Sequence, residues 1–186
     1  MLSVDAIIFS GPPAVGKTTV AKLVAEKLKL KLVGGGDILK EIAAEEGVKT
    51  SGDDWWDTPG GMKFLAKRKK SKRFDREVDR RLLQRVGAGN VVITSYTIPW
   101  LSKKGIKIWL SGSVDSRSER MATRDQMSKE ECRKVIQVRD TENLELYKRL
   151  YGIEFGKDLT PFNLIVGTDG IPAKTIAEEV LKYLRK

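Results

Sequence analysis

Residues 11–18 read GPPAVGKT, which satisfies the spacing GxxxxGK[ST], and this segment constrains the fold more than any other. An apolar run, Ala6 to Ser10, precedes it. A stretch of helical period follows, with Val20, Leu23, Val24 and Leu28 on one face and Lys22, Glu26, Lys27 and Lys29 largely opposite. A strand, a glycine-bounded turn and a helix in that order form a phosphate-binding loop. Gly11 and Gly16 let backbone N–H groups point inward around phosphate oxygens, with Pro12, Pro13, Ala14 and Val15 making the turn between them. The start of the helix adds its positive dipole end, Lys17 a mobile cation, and Thr18, followed by Thr19, a hydroxyl for magnesium. Residues 11–19 are therefore expected to bind a nucleoside triphosphate as its magnesium complex.

The remaining pattern alternates. Short β-branched runs at Lys31 to Val33, Val91 to Ser95, Lys107 to Leu110 and Leu164 to Val166 join the first at Ala6 to Ser10, and longer helical or loop segments separate them. That order predicts a five-stranded parallel sheet covered by helices. The final helix is expected to pack through Ile176, Val180, Leu181 and Leu184, with Pro172 in its first turn. Ser128 and Glu131 fit a capping box that opens a helix running through Tyr147. At 186 residues, with 40% hydrophobic residues, the chain has the size and core of a single domain.

Composition removes whole classes of chemistry. The chain has no histidine, so no imidazole serves as base or metal ligand. Its one cysteine, Cys132, excludes internal disulfides and cysteine-zinc sites. The segment MLSVDAIIF has no basic leader and only a brief apolar run, so a cytoplasmic protein without membrane association is expected. Lys plus Arg number 35 against 25 Asp plus Glu, a net charge of +10 that favours anionic partners: phosphates, nucleotides or nucleic acid.

Several segments match particular kinases. GPPAVGKTTVAKLVAEKL, GGGDILKEIA after the second strand, FDREVDRR near residue 78, VVI, IKIWL and LYKRLYGIEF together resemble the nucleoside monophosphate kinases. The likeness covers nearly the whole chain and is greatest to the archaeal type of cytidylate kinase. It implies a three-layer P-loop NTPase fold with strand order 2-3-1-4-5, in one domain. An acceptor-binding insertion at about 37–86 and a lid at about 113–148 follow from the same likeness.

The resemblance also assigns roles. Gly36, Asp37 and Lys40 fall where the acceptor phosphate binds, usually with arginine in place of Lys40, and lysine lacks the planar fork that grips two phosphate oxygens. Gly34 to Gly36 permit close backbone approach and positive φ, and Asp37 is expected to cap a helix carrying Lys40 on its first turn. Asp75 and Asp79, four apart, suit a helix face that orients ribose or base, or else pair with Arg76 or Arg80. Arg117, Arg120 and Arg124 share a helical face, and Arg139 lies on the next helix. Arg120, Arg124 and Arg139 are expected to neutralise charge on the transferring group together with Lys17, and Arg117 to lie near the adenine or in a surface ion pair.

Three departures bear on the substrate. Where archaeal cytidylate kinases resemble VVLEGR at the third strand, this chain has Thr94 at the acid and, at the arginine, Tyr96, which is expected to bind the acceptor. Arg139 is followed by Asn143 and Leu146 in place of an acid and a second arginine; Asn143 can serve a cytosine amino group or a carbonyl. Asp37 or Asp169 is available to replace the missing acid. Trp55 and Trp56 are candidates to stack on a base, and the basic run Lys67 to Arg73 is expected to be a solvated face. The reading is ATP-dependent phosphorylation of CMP or dCMP. Its alternatives are a kinase of the same fold acting on AMP, UMP or another small acceptor, and an ATP-binding RNA-associated assembly protein.

Overall fold

The computed structural model describes residues 5–50 and 58–185. Five strands, β1 (Ile7–Ser10), β2 (Lys31–Gly34), β3 (Val91–Thr94), β4 (Ile106–Ser111) and β5 (Leu164–Gly167), form one parallel sheet in the order β2-β3-β1-β4-β5. Strand β1 lies at its centre, with Ile8 opposite Ile93 on one side and Lys107 on the other. All four of its residues are buried, as expected where helices cover both faces of a parallel sheet.

Alternation along β1 divides the core in two. Ile8 joins Val33 and Ile93 on one face, beneath helices α2 (Gly35–Glu45), α3 (Pro59–Lys70), α4 (Arg73–Ala88) and the short α5 (Ile98–Leu101). Ile7 and Phe9 join Val92, Ile108, Leu110 and Val166 on the other, beneath α1 (Lys17–Leu28) and α8 (Ala173–Tyr183). Between β4 and β5 the chain makes an antiparallel hairpin of α6 (Val114–Asp125) and α7 (Lys129–Tyr151). An aromatic cluster of Trp109, Tyr147, Phe155, Trp100 and Phe162 closes the carboxyl end of α7 against β4.

Several local expectations are corrected. Helix α1 packs through Val20, Ala21, Val24 and Ala25, and Leu28 at its end is exposed, because small residues allow closer approach to the sheet. Helix α2 begins at Gly35, so Asp37 is its third residue and Lys40 sits in the second turn. Asp37 still satisfies a helix-end donor, accepting from the Gly34 amide at 2.7 Å. None of Gly34 to Gly36 has a positive φ. Gly34 is required instead by closeness, since a Cβ there would lie 2.8 Å from Thr94 Oγ1. The Ser128–Glu131 capping box forms, but α7 continues to Tyr151 and ends at Gly152 in the left-handed conformation. Pro172 precedes α8 as its N-cap.

Gly105, in the turn into β4, has φ +88°, and a Cβ there would meet the Ala6 carbonyl oxygen at 2.7 Å. Gly105→Ala is expected to destabilise the fold by about 1–3 kcal/mol, read as a lower urea midpoint at unchanged slope. Gly87, inside α4 with nothing within 4 Å of its would-be Cβ, makes the contrast. Gly87→Ala should stabilise by about 0.5–1 kcal/mol.

Candidate active site

The loop after β1 leaves the sheet through Gly11, whose φ is +149° and whose added Cβ would stand 2.3 Å from the Leu110 carbonyl oxygen. Ala14 and Gly16 are left-handed, at φ 59° and 98°. Gly16 is the N-cap of α1, so the helix's free N–H groups open onto the loop. Lys17 folds back over this loop. Its Nζ donates to the Gly11 and Pro12 carbonyls at 2.8 and 2.9 Å and lies 4.4 Å from the centre of the Tyr96 ring.

Loss of water around the ammonium lowers the Lys17 pKa to about 7. The positive charges of Arg139 and Arg117 add to the shift, and Asp140 opposes it. Tyr96 stacks on Tyr147 of α7 with ring centres 5.8 Å apart and meets Phe155 edge-on. Burial raises the pKa of its hydroxyl, and the positive charge of Arg139 works the other way. Tyr96 thus joins the loop lysine to the α7 helix. Sequence reasoning placed it on the acceptor alone.

A cavity of about 690 Å³ opens beside this loop, bounded by Lys17, Thr18, α2, α3, α4, the end of β3 and one face of α7. It gathers Gly36, Asp37, Lys40, Asp75, Asp79, Tyr96, Arg139 and Asn143, residues singled out above from four separate segments. Asp75 accepts from Arg68 at 2.7 Å rather than from Arg76, and Arg80 pairs with Glu77. Asp79 is buried, accepting from Thr97 Oγ1 at 2.6 Å and the Tyr151 hydroxyl at 2.7 Å. Loss of water raises its pKa, and those two hydrogen bonds work the other way. Asn143 accepts from the Tyr147 hydroxyl at 3.3 Å.

The arginines of α6 divide. Arg117 is buried, not on the surface: it donates to the Gly112 and Pro13 carbonyls and grips both oxygens of Asp140, at 2.9 and 2.7 Å. Arg120 bonds Thr168 at the end of β5, and Arg124 pairs with its neighbour Asp125. Neither lines the cavity: the i, i+3, i+7 spacing keeps the three on one helical face, but their long side chains reach different neighbours. Asp169 accepts from the Ser113 amide and does not line the cavity. Lys67 of the basic run pairs with Glu46 at 2.5 Å, and Trp55 and Trp56 lie outside the described residues.

Among the described residues no three His, Cys, Asp or Glu side chains group to hold a metal ion. Magnesium carried on a triphosphate needs little from the protein, since phosphate oxygens and waters fill most of its octahedron. The exposed Thr18 hydroxyl on the cavity wall, with the Asp37 carboxylate across from it, fits that requirement.

Residues 6–169 match the model of the cytidylate kinase-like family. The chain belongs to this family. A cytidylate kinase of Pyrococcus horikoshii is 35% identical over 163 residues, covering 87% of this chain and 79% of that protein. One of Methanocaldococcus jannaschii is 32% identical over 167 residues, 87% of each chain. One of Sulfurisphaera tokodaii is 29% identical over 181 residues, covering 96% and 94%. Among solved structures, an uncharacterised protein of Eubacterium ventriosum superposes with TM-score 0.71 at 14% identity, covering 97% of this chain and 98% of that one. Shikimate kinase of Acinetobacter baumannii, in complex with shikimate, gives 0.59 at 18%, covering 98% and 93%. At that identity these structures establish the P-loop kinase fold of this cytidylate kinase-like chain.

Free Lys17 loses its proton as pH rises through about 7, whereas phosphate oxygens favour the ammonium. Triphosphate binding above that pH therefore takes up a proton, and affinity is expected to fall toward about tenfold per pH unit. Titration calorimetry at pH 6 and 8 in buffers of different ionisation enthalpy checks this. The extra uptake at pH 8 should vanish in Lys17→Ala.

Proposed function

We propose that the chain transfers the γ-phosphoryl group of ATP to CMP or dCMP, releasing ADP and the pyrimidine nucleoside diphosphate. The observation that carries this reading is a single cavity with Lys17 and Thr18 on one wall and Lys40, Asp75 and Asp79 on the other, in a chain of the cytidylate kinase-like family. The two nucleotides then meet phosphate to phosphate, which is the arrangement in-line transfer requires. An acceptor phosphate oxygen is already anionic at neutral pH and attacks the γ-phosphorus as ADP leaves. No general base is needed, and a chain without histidine suffices.

In this mechanism the N–H groups of the loop and of the start of α1 receive the donor phosphates. Lys17 leaves the Gly11 and Pro12 carbonyls for the phosphates that replace them. Lys40 and the start of α2 at Gly36 hold the acceptor phosphate. Arg139, which lines the cavity with Lys17, neutralises charge on the transferring group. Arg120 and Arg124 are assigned to the closed, triphosphate-bound arrangement, in which α6 has moved toward the cavity. Arg117 keeps α6, α7 and the phosphate loop in register through Asp140 and Pro13. Thr18 directly, and Asp37 through water, would hold magnesium, which supplies charge neutralisation between the donor phosphates.

The partners are thus ATP and a nucleoside monophosphate, and a cytoplasmic site of action belongs to the same proposal. The insertion at about 37–86 becomes the acceptor clamp and the segment at about 113–148 the lid. No helix among the described residues is long and apolar enough to cross a membrane. The relatives, named cytidylate kinases, do not favour the RNA-associated alternative.

A coupled ADP-release assay over CMP, dCMP, UMP and AMP tests the reading, with turnover expected for CMP or dCMP. Turnover confined to another monophosphate would overturn the pyrimidine choice. Lys17→Ala should abolish detectable transfer. Lys40→Ala should raise the acceptor KM by roughly tenfold or more and leave ATP affinity nearly unchanged, as loss of one charged phosphate contact implies.

A further inference from the structure

Tyr96 stands where the family resemblance has an arginine, and the mechanism above gives it no part. The turn that carries it is fixed. Ser95 Oγ accepts from the Thr97 and Ile98 amides at 3.1 and 3.2 Å, and the Ser95 amide donates to the Phe9 carbonyl at 3.0 Å, which ties this turn to β1 just before the phosphate loop. The ring is held as well, since Tyr147 stacks on it with 25° between the planes and Phe155 meets it edge-on. Leu146, the other position at which the resemblance has an arginine, packs against the same aromatic cluster. What this rigid wall meets is a flexible side chain. Lys17 Nζ lies 4.4 Å from the centre of the ring, and its two hydrogen bonds both go to carbonyls of its own loop. The charges of Arg139 and Arg117 repel that ammonium and Asp140 draws it, while the electron-rich ring face attracts it at close range.

We infer that Tyr96 is a positioning residue for the donor: its ring holds the Lys17 ammonium on the cavity side of the phosphate loop, both before the triphosphate arrives and during transfer. Lysine is a point charge on a long flexible stem, and fixing it costs conformational entropy. A ring fixed from behind restricts the stem in advance, so that binding and transfer no longer have to order it. The phosphates displace the Gly11 and Pro12 carbonyls because they are better acceptors. The ring has no hydrogen bond to exchange, and its attraction for the charge persists over the short shift. Tyrosine does this without adding a further cation beside Lys17 and Arg139, which both line the cavity.

This inference rests on the proposed ATP donor and is independent of the choice of acceptor. Calorimetric Kd for ATP and CMP, and kcat with CMP, are compared for the full chain, for Tyr96→Leu and Tyr96→Phe, and for the chain carrying a trifluorinated phenylalanine at position 96. Fluorine nearly keeps the shape of phenylalanine and withdraws the negative charge from its ring face. Tyr96→Leu is expected to raise Kd for ATP by roughly threefold to thirtyfold and to lower kcat, with Kd for CMP within about twofold. Tyr96→Phe should recover most of the loss, and the fluorinated ring should lose it again. A packing role moves neither of the last two chains apart, and that pair decides the matter even where leucine prevents folding. In a Lys17→Ala background the effect of the ring on ATP affinity should vanish, because no ammonium remains to be held. Weaker CMP binding at unchanged ATP affinity, equal ATP affinity of the phenylalanine and fluorinated chains, or an undiminished effect in Lys17→Ala would overturn the assignment. If the unaltered chain binds ATP and phosphorylates no monophosphate, the proposed function fails, and the ATP binding constants still decide Tyr96.

Discussion

A Cβ at position 11 would stand 2.3 Å from the Leu110 carbonyl oxygen, so the loop after β1 leaves the sheet only by way of a glycine. That contact presses the loop against β4 while β1 itself pairs with β3 on its other side. The strand order β2-β3-β1-β4-β5 reverses direction at β1, and connections from its two neighbours run to opposite sides. A crevice at the carboxyl ends of the strands is the geometric result. Helices α2 to α4 stand on one side of it and the α6–α7 hairpin on the other, so a ligand in the loop is reached from both.

Charge of both signs is concentrated around that crevice. Lys17, Lys40, Arg68 and Arg139 all face one cavity, and three carboxylates, Asp37, Asp75 and Asp79, are set among them. Loss of water, and after it the like charges of Arg139 and Arg117, bring Lys17 to a pKa of about 7. The carbonyls of Gly11 and Pro12 and the face of Tyr96 give its ammonium a place to rest. An arginine at position 96 would add a further cation beside Lys17 and depress its protonation more. An aromatic ring there attracts the ammonium instead. The tyrosine is therefore compatible with the loop lysine in a way that its sequence neighbourhood alone does not convey.

What could be read from the chain follows the range of the interactions involved. Strand positions, the loop and the capping box at Ser128 depend on residues within a few places of one another, and period and spacing report them faithfully. The eight residues gathered around the cavity were marked by the motifs that carry the family resemblance, although Lys40, Asp79, Arg139 and Asn143 lie within helices rather than at element ends. Arg68, which lines the cavity, was not, since nothing in the local sequence separates it from the five other lysines and arginines of the run 67–73. Thr97 and Tyr151, which hold Asp79, come from segments 18 and 72 residues away. Only the i, i+4 spacing of Tyr147 and Tyr151 hinted that this end of α7 faces inward. Arg120 and Arg124 mark the opposite error. Their shared helical face was correct, but guanidinium groups on long stems choose partners by tertiary neighbourhood, and here those are Thr168 and Asp125.

Helix α7, 23 residues and so about 35 Å long, is held unequally along its length. Its carboxyl end is set among the aromatic rings of Trp109, Phe155 and Trp100 and bonded to Asp79 through Tyr151. Its amino half rests on α6 through a cluster of three buried residues, Met121, Cys132 and Ile136, with Ala14 of the phosphate loop beside them. The first end packs against β4, and the second meets the phosphate loop at Ala14. Arg139 and Asp140 fall between the two, one lining the cavity and the other gripped by Arg117, whose guanidinium also holds the Pro13 carbonyl. A movement of the hairpin about the aromatic anchor must therefore carry Arg139 and strain the bond from Arg117 to the loop at once. In the closure proposed above, hairpin movement and the arrangement of the phosphate loop would be a single mechanical event, because one buried guanidinium belongs to both.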